Sequence, residues 1–397
     1  MDAPTRVCIL GGGFGGLYTA LNLSAFPWEP GEKPQITLID QADHFLFTPL
    51  LYELVTGELQ SWEVAPPFEE LLAGTGIAFC QGTVESVDLE QQRVLLAAGR
   101  ELTYDALVLA AGGETPRNQV AGAAEYALPF RTLADANHLR EHLRQLESQA
   151  QEVLRVVVVG AGPSGIELAC KLADRLGQRG RVRLVDRGDQ VLKAFSSFHR
   201  DLALKALESR SVWVDLETDV ISVDRGSITL DYKGQVDTLP VDLVLWTVGT
   251  QPRPWVLDLP AGRNERGQLR TLPTLQLVDY PNVFALGDIA DTRDARGKRV
   301  PATAQAAFQA ADYAAWNLWA SLTGRPLLPF RYLHLGEMIA LGSDGAAISA
   351  MGVNLKGPAA YVARRLVYLL RMPTLRHRLQ VGWNWVAGPV VEWLAQT

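Results

Sequence analysis

Cysteine is scarce in this chain: Cys8, Cys80 and Cys170 are the three it has in 397 residues. They lie far apart, with no C-x-x-C pair. That excludes a local redox dithiol and the common zinc pattern, and it suits a reducing compartment. Long apolar runs are missing too. No stretch reaches the roughly 18 residues that a membrane-crossing helix needs, so none is expected. The start, MDAPTRVC, has neither a basic nor an apolar region, and no signal peptide is expected. The net charge is −7, which gives no reason to expect nucleic acid. One stretch lacks acids altogether, between Asp344 and Glu392. What is present is 48% hydrophobic and 20% charged, in a chain long enough for two or three domains with large cores.

The run Val7 to Gly16, VCILGGGFGG, is the main organising signal. A buried parallel strand that turns tightly into a helix presents free backbone N–H groups and the positive helix end, which together hold a pyrophosphate. Gly11 permits the turn, Gly13 lets the backbone approach the phosphates, and Gly16 lets helix and strand pack closely. LYTALNL reads as the helix, and Ile36 to Asp40 (ITLID) as a second strand ending in an acid. Asp40 lies farther from Gly11 than the usual interval of about 20 residues; the insert FPWEPGEKP accounts for the excess. Asp40 would accept hydrogen bonds from the ribose hydroxyls of an adenosine. Strand, glycines, helix, strand and acid come in the order the motif requires.

The fingerprint then recurs. In RVVVVGAGPSGIELACKL four valines lead into Gly160, Gly162 and Gly165 at the same spacing, and VRLVD ends in Asp186. Two complete copies are the strongest signal in the chain. Between them, DHFLFTPLLYELVTG (43–57) is too apolar for a solvated loop. It reads either as a core-facing helix start after Pro49 or as a stretch lying against a flat cofactor ring. From Phe79 to Leu102, alternating segments suggest a small antiparallel sheet, and YDALVLAAGG then returns as a buried strand. Residues 132–152 read as a polar helix crossing between domains, and VDLVLWTVG closes the second domain. NVFALGD is an apolar strand ending in Asp288, in the crevice position where α/β ligands bind. Pro301 to Leu318 is Ala-rich and helix-forming, with Gln305 and Gln309 on one face; on periodicity alone it is also a plain core helix with two solvated amides.

The acid-free tail holds Lys356, Arg364, Arg365, Arg371, Arg376 and Arg378. Ala359, Val362, Leu366, Leu369 and Leu370 fall on one helical face, with Arg364 and Arg371 opposite. Pro373 ends that helix, and Trp383, Trp385 and Trp393 follow. A basic, amphipathic, Trp-rich segment is the pattern of a helix lying in a membrane interface, with Trp385 and Trp393 at headgroup level. The competing reading is a domain or homodimer contact with a solvated basic face.

Two dinucleotide domains imply two dinucleotides, and FAD with NADH or NADPH is the economical pair, because hydride can pass between their rings. Such transfer needs no protein nucleophile and no metal. Without a cysteine pair a disulfide acceptor does not fit, and the basic tail points to a lipid-soluble one. The chain resembles the type II NAD(P)H:quinone oxidoreductases, which are monotopic two-dinucleotide flavoproteins. The likeness is carried by GGGFGGLYTA, HFLFTPLLYE, GAGPSGIELA, NVFALGD, PATAQAAFQ and LGEMIALGSDGAAI before the tail. The glycine fingerprints are shared by a whole superfamily; PLLYE and A-Q-x-x-x-Q are more specific. The resemblance implies that Asp288 binds the flavin ribityl chain, that Gln305 and Gln309 lie at the quinone site, and that Glu167 sits near the nicotinamide. Pro49 and Gly112 join the cofactor-binding set. The tail looks most like the cyanobacterial and plastid branch, which is associated with prenylnaphthoquinones including demethylphylloquinone, so the expected membrane acceptor is demethylphylloquinone or plastoquinone. AAGGETP departs from the family's usual A-T-G turn, and Asp186 followed at once by Arg187 leaves the choice between NADH and NADPH open.

The expected architecture is α/β, with two Rossmann-like domains and a C-terminal membrane-associating region. The FAD domain would span 1–118 and 274–330, the NAD(P)H domain 153–273, and the tail region 331–397, with 356–397 meeting the membrane. The expected place is peripheral, on the cytoplasmic side of a thylakoid or plasma membrane, with a homodimer as the alternative use of the basic helix. Competing functions are a sulfide:quinone oxidoreductase, which the scattered cysteines fit poorly, a ferredoxin-type reductase, which leaves the tail unexplained, and a redox-sensing flavoprotein without turnover.

Overall fold

The computed structural model describes residues 4–149 and 152–396, with side chains as far as Ala387. Two compact units emerge. The first comprises Met1–Phe47, Ala65–Glu114 and Thr250–Leu333; the second comprises Thr48–Val64, Thr115–Gly249 and His334–Thr397. The chain re-enters the first unit directly after Gly249, because Gln251–Pro252 pairs with Gly113–Glu114. That is earlier than residue 274, where the sequence pattern places the return.

In the first unit five parallel strands lie in the order Val283–Ala285, Ala106–Leu109, Arg6–Leu10, Gln35–Asp40, Ala78–Gln81. The central strand is buried on both faces, which is why RVCIL shows no polar alternation. Helices Phe14–Ala25 and Ala304–Leu322 pack against each other. Cys8 and Leu10 join a core cluster with Val87, Val94, Leu96 and Trp255. Val87, Val94 and Leu96 come from the small antiparallel sheet, Val84–Asp88, Arg93–Leu96 and Arg100–Thr103, expected from the alternating segments. Ala78–Gln81 falls outside that sheet and extends the parallel one instead.

In the second unit a matching parallel sheet runs Trp213–Asp215, Gly180–Val185, Leu154–Val159, Leu243–Trp246, Ala127–Pro129. Helix Pro163–Leu176 follows its glycine turn. Helix Leu133–Ser148 starts at a capping box in which Thr132 and Asp135 satisfy each other's backbone N–H. The tail contributes strands Glu337–Ala340, Ala346–Ala350 and Val353–Lys356, then helices Gly357–Arg371 and Leu375–Gln396. Pro373 separates the two helices as its missing N–H requires. Among the described residues no helix is long and apolar enough to cross a membrane.

Both glycine turns have the same construction. Gly11 sits at φ +101° and Gly160 at φ +111°, in the region closed to side chains. A Cβ on Gly16 would lie 1.8 Å from the Gly11 carbonyl oxygen, and one on Gly165 would lie 1.7 Å from that of Gly160. These glycines therefore set how closely helix approaches strand. Gly165→Ala is expected to cost about 1–3 kcal/mol through forced displacement of the helix, read as a lowered Tm with flavin content retained.

Candidate functional site

Each glycine turn is closed by the acid at the end of the next strand. In the first unit the Gly12 N–H donates to Asp40 Oδ2 at 2.6 Å and the Ala42 N–H to Asp40 Oδ1 at 2.8 Å. In the second, the Ala161 N–H donates to Asp186 Oδ2 at 2.7 Å and the Gly188 N–H to Asp186 Oδ1 at 2.6 Å. The carboxylates are thus oriented beside the turns, where an adenosine ribose would come. A Cβ on Gly13 or Gly162 would meet nothing within 4 Å, so the side from which a pyrophosphate approaches is open in both units. Both cradles fit a dinucleotide.

The first unit also gathers Gly112, Asp288, Gln305 and Gln309. Gly112 has φ +60° in the turn after strand Ala106–Leu109. Asp288 lies in the one-turn segment Gly287–Ile289 past strand Val283–Ala285, and its backbone carbonyl accepts from Gln268 Nε2 at 2.8 Å. Gln305 and Gln309 stand on the first turns of helix Ala304–Leu322, and both amides are engaged. The Tyr332 hydroxyl donates to Gln305 Oε1 at 2.9 Å. Gln309 donates to the Leu333 carbonyl at 2.8 Å and accepts the Leu333 N–H at 3.0 Å. Phe45 and Phe47 are fully buried against Phe14, so this part of the 43–57 segment is core.

Pro49 and Glu167 belong to the second unit, and both touch Arg364. Its guanidinium donates to Glu53 Oε1 at 2.6 Å, to the Pro49 carbonyl at 2.8 Å and to Glu167 Oε1 at 3.2 Å. Arg364 and Glu53 are both 0% exposed. This corrects the competing reading of a solvated basic face at Arg364: helical spacing sorts side chains into faces but does not say which face is covered. Two further acids follow Glu53 at five-residue steps. Glu58 accepts from the buried Lys171, from the Tyr361 hydroxyl and from Arg365. Glu63 accepts from Asn384 Nδ2 at 3.1 Å and Trp385 Nε1 at 2.9 Å, while His377 meets its backbone carbonyl. The Trp385 N–H is therefore committed to protein rather than to headgroups, and the side chain of Trp393 lies outside the described residues. Sequence reasoning missed Glu53, Glu58 and Glu63. The available signal was three acids inside the otherwise apolar LLYELVTGELQSWEV.

Burial pushes the Glu167 carboxyl up to about 7, against the pull of Arg364 and of the Ala340 N–H that donates to it at 2.7 Å. Burial also raises Glu53, but Arg364 and Lys171 outweigh it and hold that carboxyl below its usual range. All three cysteines are buried and free, and burial pushes the Cys8 thiol up to about 11 and Cys170 to about 12, so neither of these two is a ready thiolate. Among the described residues no group of His, Cys, Asp or Glu could hold a metal.

The paired cradles define a two-dinucleotide oxidoreductase. Residues 5–311 match the pyridine nucleotide-disulphide oxidoreductase family, and within it the chain belongs to the type II NAD(P)H:quinone oxidoreductases. It is 52% identical to demethylphylloquinone reductase NdbB of Synechocystis, covering 99% of this chain and 98% of that one. It is 42% identical to the alternative NAD(P)H-ubiquinone oxidoreductase C1, chloroplastic/mitochondrial, of Arabidopsis thaliana, over 98% of this chain and 82% of that one. In fold it is similar to NDH2 of Plasmodium falciparum solved with NADH, with a TM-score of 0.85 at 19% identity, over 97% and 98% of the two chains. The chain is thus an enzyme of FAD and NAD(P)H.

Two outcomes test this site. Arg364→Met leaves Glu53 buried without its nearest cation and should cost about 3–5 kcal/mol of stability, read from denaturant midpoints at unchanged slope. The pH test concerns Glu167. Its folded value near 7 exceeds its ordinary 4.5, so the folded state binds the extra proton and stability falls as pH rises between those values. Glu167→Gln should flatten that fall in a Tm-against-pH series; an unchanged slope would show that Glu167 does not titrate there.

Proposed function

We propose that this enzyme oxidises NAD(P)H and reduces a membrane prenylnaphthoquinone of the demethylphylloquinone type by two electrons. The observation that carries the reading is the duplicated cradle: two open glycine turns, each closed by its own strand-end carboxylate. The 52% identity to a demethylphylloquinone reductase supports the choice of quinone. When bound, FAD supplies the two-electron chemistry between nicotinamide and quinone. The residues of the chain bind, orient and hold protons. Asp40 and Asp186 receive ribose hydroxyls, and Gly13 and Gly162 admit pyrophosphate. Asp288 takes the ribityl hydroxyls, and Gln305 presents amide hydrogens to a quinone carbonyl. Gln309, beside it on the same helix, is clamped on the Leu333 backbone and holds that residue in place. Glu167, beside the nicotinamide and pushed up to about 7, can hold a proton near neutrality. Asp186 favours NADH by repelling a 2′-phosphate, whereas Arg187, exposed beside it, would cover that phosphate in NADPH.

The same reading places the tail on a lipid surface. Val362, Leu366 and Leu370 recur every fourth residue on one helix and are 57%, 55% and 68% exposed. Leu375, Leu379 and Trp383 do so on the next and are 69%, 65% and 74% exposed. Apolar rows left outward on basic helices suit peripheral insertion among anionic lipids, each large side chain adding at most about 1.5–3 kcal/mol.

Asp288→Ala should weaken flavin retention by about 1–3 kcal/mol, seen as loss of FAD on gel filtration; full flavin content would remove Asp288 from the site. Leu366→Glu with Leu370→Glu should abolish flotation with anionic vesicles at low salt while NAD(P)H oxidation by a water-soluble quinone continues. Unaltered flotation would assign these rows another partner.

A further inference from the structure

Two residues past Asp288 the chain pairs with an earlier segment, Leu269 opposite Ala290 and Arg270 opposite Asp291. The residue just before that pairing, Gln268, is in the sequence one polar residue of the loop NERGQ. In the structure it is buried, and both ends of its amide are in use. Its Oε1 accepts from Arg299 Nη2 at 2.8 Å and from Asn264 Nδ2 at 3.0 Å. Its Nε2 donates to the Asp288 carbonyl at 2.8 Å.

The direction of that amide is forced by its neighbours. A guanidinium can only donate. Asn264 Oδ1 receives the backbone N–H groups of Arg266 at 2.9 Å and Gln268 at 3.0 Å, so the Asn264 NH2 group is the end that meets Gln268. The Gln268 oxygen therefore turns toward Arg299 and Asn264, and its NH2 group toward the Asp288 carbonyl, which can only accept. Arg299 is itself held, with Nε 3.0 Å from Asp291 Oδ1. Every member of this network belongs to the first unit.

What the network grips is a single turn of three residues, Gly287–Ile289. Gly287 sits at φ +78°, and a glycine backbone adopts many other conformations as easily. The Asp288 carbonyl and the Asp288 side chain leave the same Cα. A hydrogen bond on the carbonyl thus limits the backbone rotation that would swing the carboxylate away.

We propose that Gln268, oriented by Arg299 and Asn264, is a positioning residue that fixes the Asp288 turn for the ribityl chain of the flavin. The proposal rests on the reading of Asp288 as a ribityl-binding residue, and its test separates the two. The full-length holoenzyme is diluted stepwise, and FAD release is followed by the rise in flavin fluorescence, with Tm recorded alongside. Gln268→Met removes both polar ends at similar length. Gln268→Glu keeps oxygen for Arg299 and Asn264 but has no donor for the carbonyl. Both should raise the FAD dissociation constant about three- to tenfold; if Gln268→Met fails to fold, Gln268→Glu carries every arm. Either change made in an Asp288→Ala background should add less than about twofold, because the residue acts through Asp288. Equal weakening in both backgrounds would mark a general structural role and overturns the proposal. Weakening in Gln268→Met without any in Gln268→Glu overturns it too, since the donor would then not matter. Wild-type release in both Gln268 variants, with faster release in Asp288→Ala, overturns the positioning role and leaves Asp288 at the flavin. Wild-type release in Asp288→Ala removes Asp288 from the flavin site and the proposal with it.

Discussion

A carboxylate at the end of a strand, receiving two backbone N–H groups, is the interaction on which both units depend. Asp40 and Asp186 each tie the residue after the first turn glycine to the loop that leaves the second strand. The tie fixes the mouth of the turn, and the turn aims the helix. The glycine one helical turn on then lets that helix lie against the strand, with no room for even a methyl group. The geometry of each cradle is therefore set by backbone and by one side chain per unit. The same solution can serve a flavin nucleotide in one unit and a nicotinamide nucleotide in the other. What distinguishes the units chemically lies outside the turns: Asp288, Gln305 and Tyr332 in the first, Glu167 and Arg364 in the second.

Those differences are electrostatic in the second unit and directional in the first. Around Arg364 and Lys171, buried cations meet Glu53, Glu58 and Glu167, so the local charge is close to balanced if all ionise. Glu53 is held below its usual range by these cations, whereas the burial of Glu167 outweighs its partners and leaves it able to change its proton near neutrality. In the first unit hydrogen bonds carry direction instead of charge: the Tyr332 hydroxyl donates to Gln305, and Gln309 both donates to and accepts from the Leu333 backbone.

What the sequence made legible was whatever is local. The glycine spacing, the acids at strand ends, the helix stop at Pro373 and the apolar row at 362, 366 and 370 are short-range patterns, and the structure contains all of them. The reach of Arg364 to Glu53 spans 311 residues, and nothing in the local pattern announces it. Its position on the polar side of a helical wheel suggested water, whereas the polar side is the covered one and the apolar side is open. The strand at Ala78–Gln81 was misplaced for a related reason: alternation marks an extended segment but not the sheet that it joins. The amides of Gln305 and Gln309 stood out from their spacing, but their hold on Tyr332 and Leu333 depends on a chain reversal that no periodicity encodes.

If the tail meets lipid as proposed, the inverted helix would also govern how this protein behaves once it is released. The cations that seat the tail are enclosed with their acids, where mobile ions screen them little. Concentrated salt would therefore weaken attraction to an anionic surface without unseating the tail. The released molecule would carry its rows of leucine and tryptophan outward into water, and in the absence of amphiphile these would find one another. Loss of material to clumping after a salt wash would then reflect intact folding rather than damage, and a mild detergent would keep the same molecules apart.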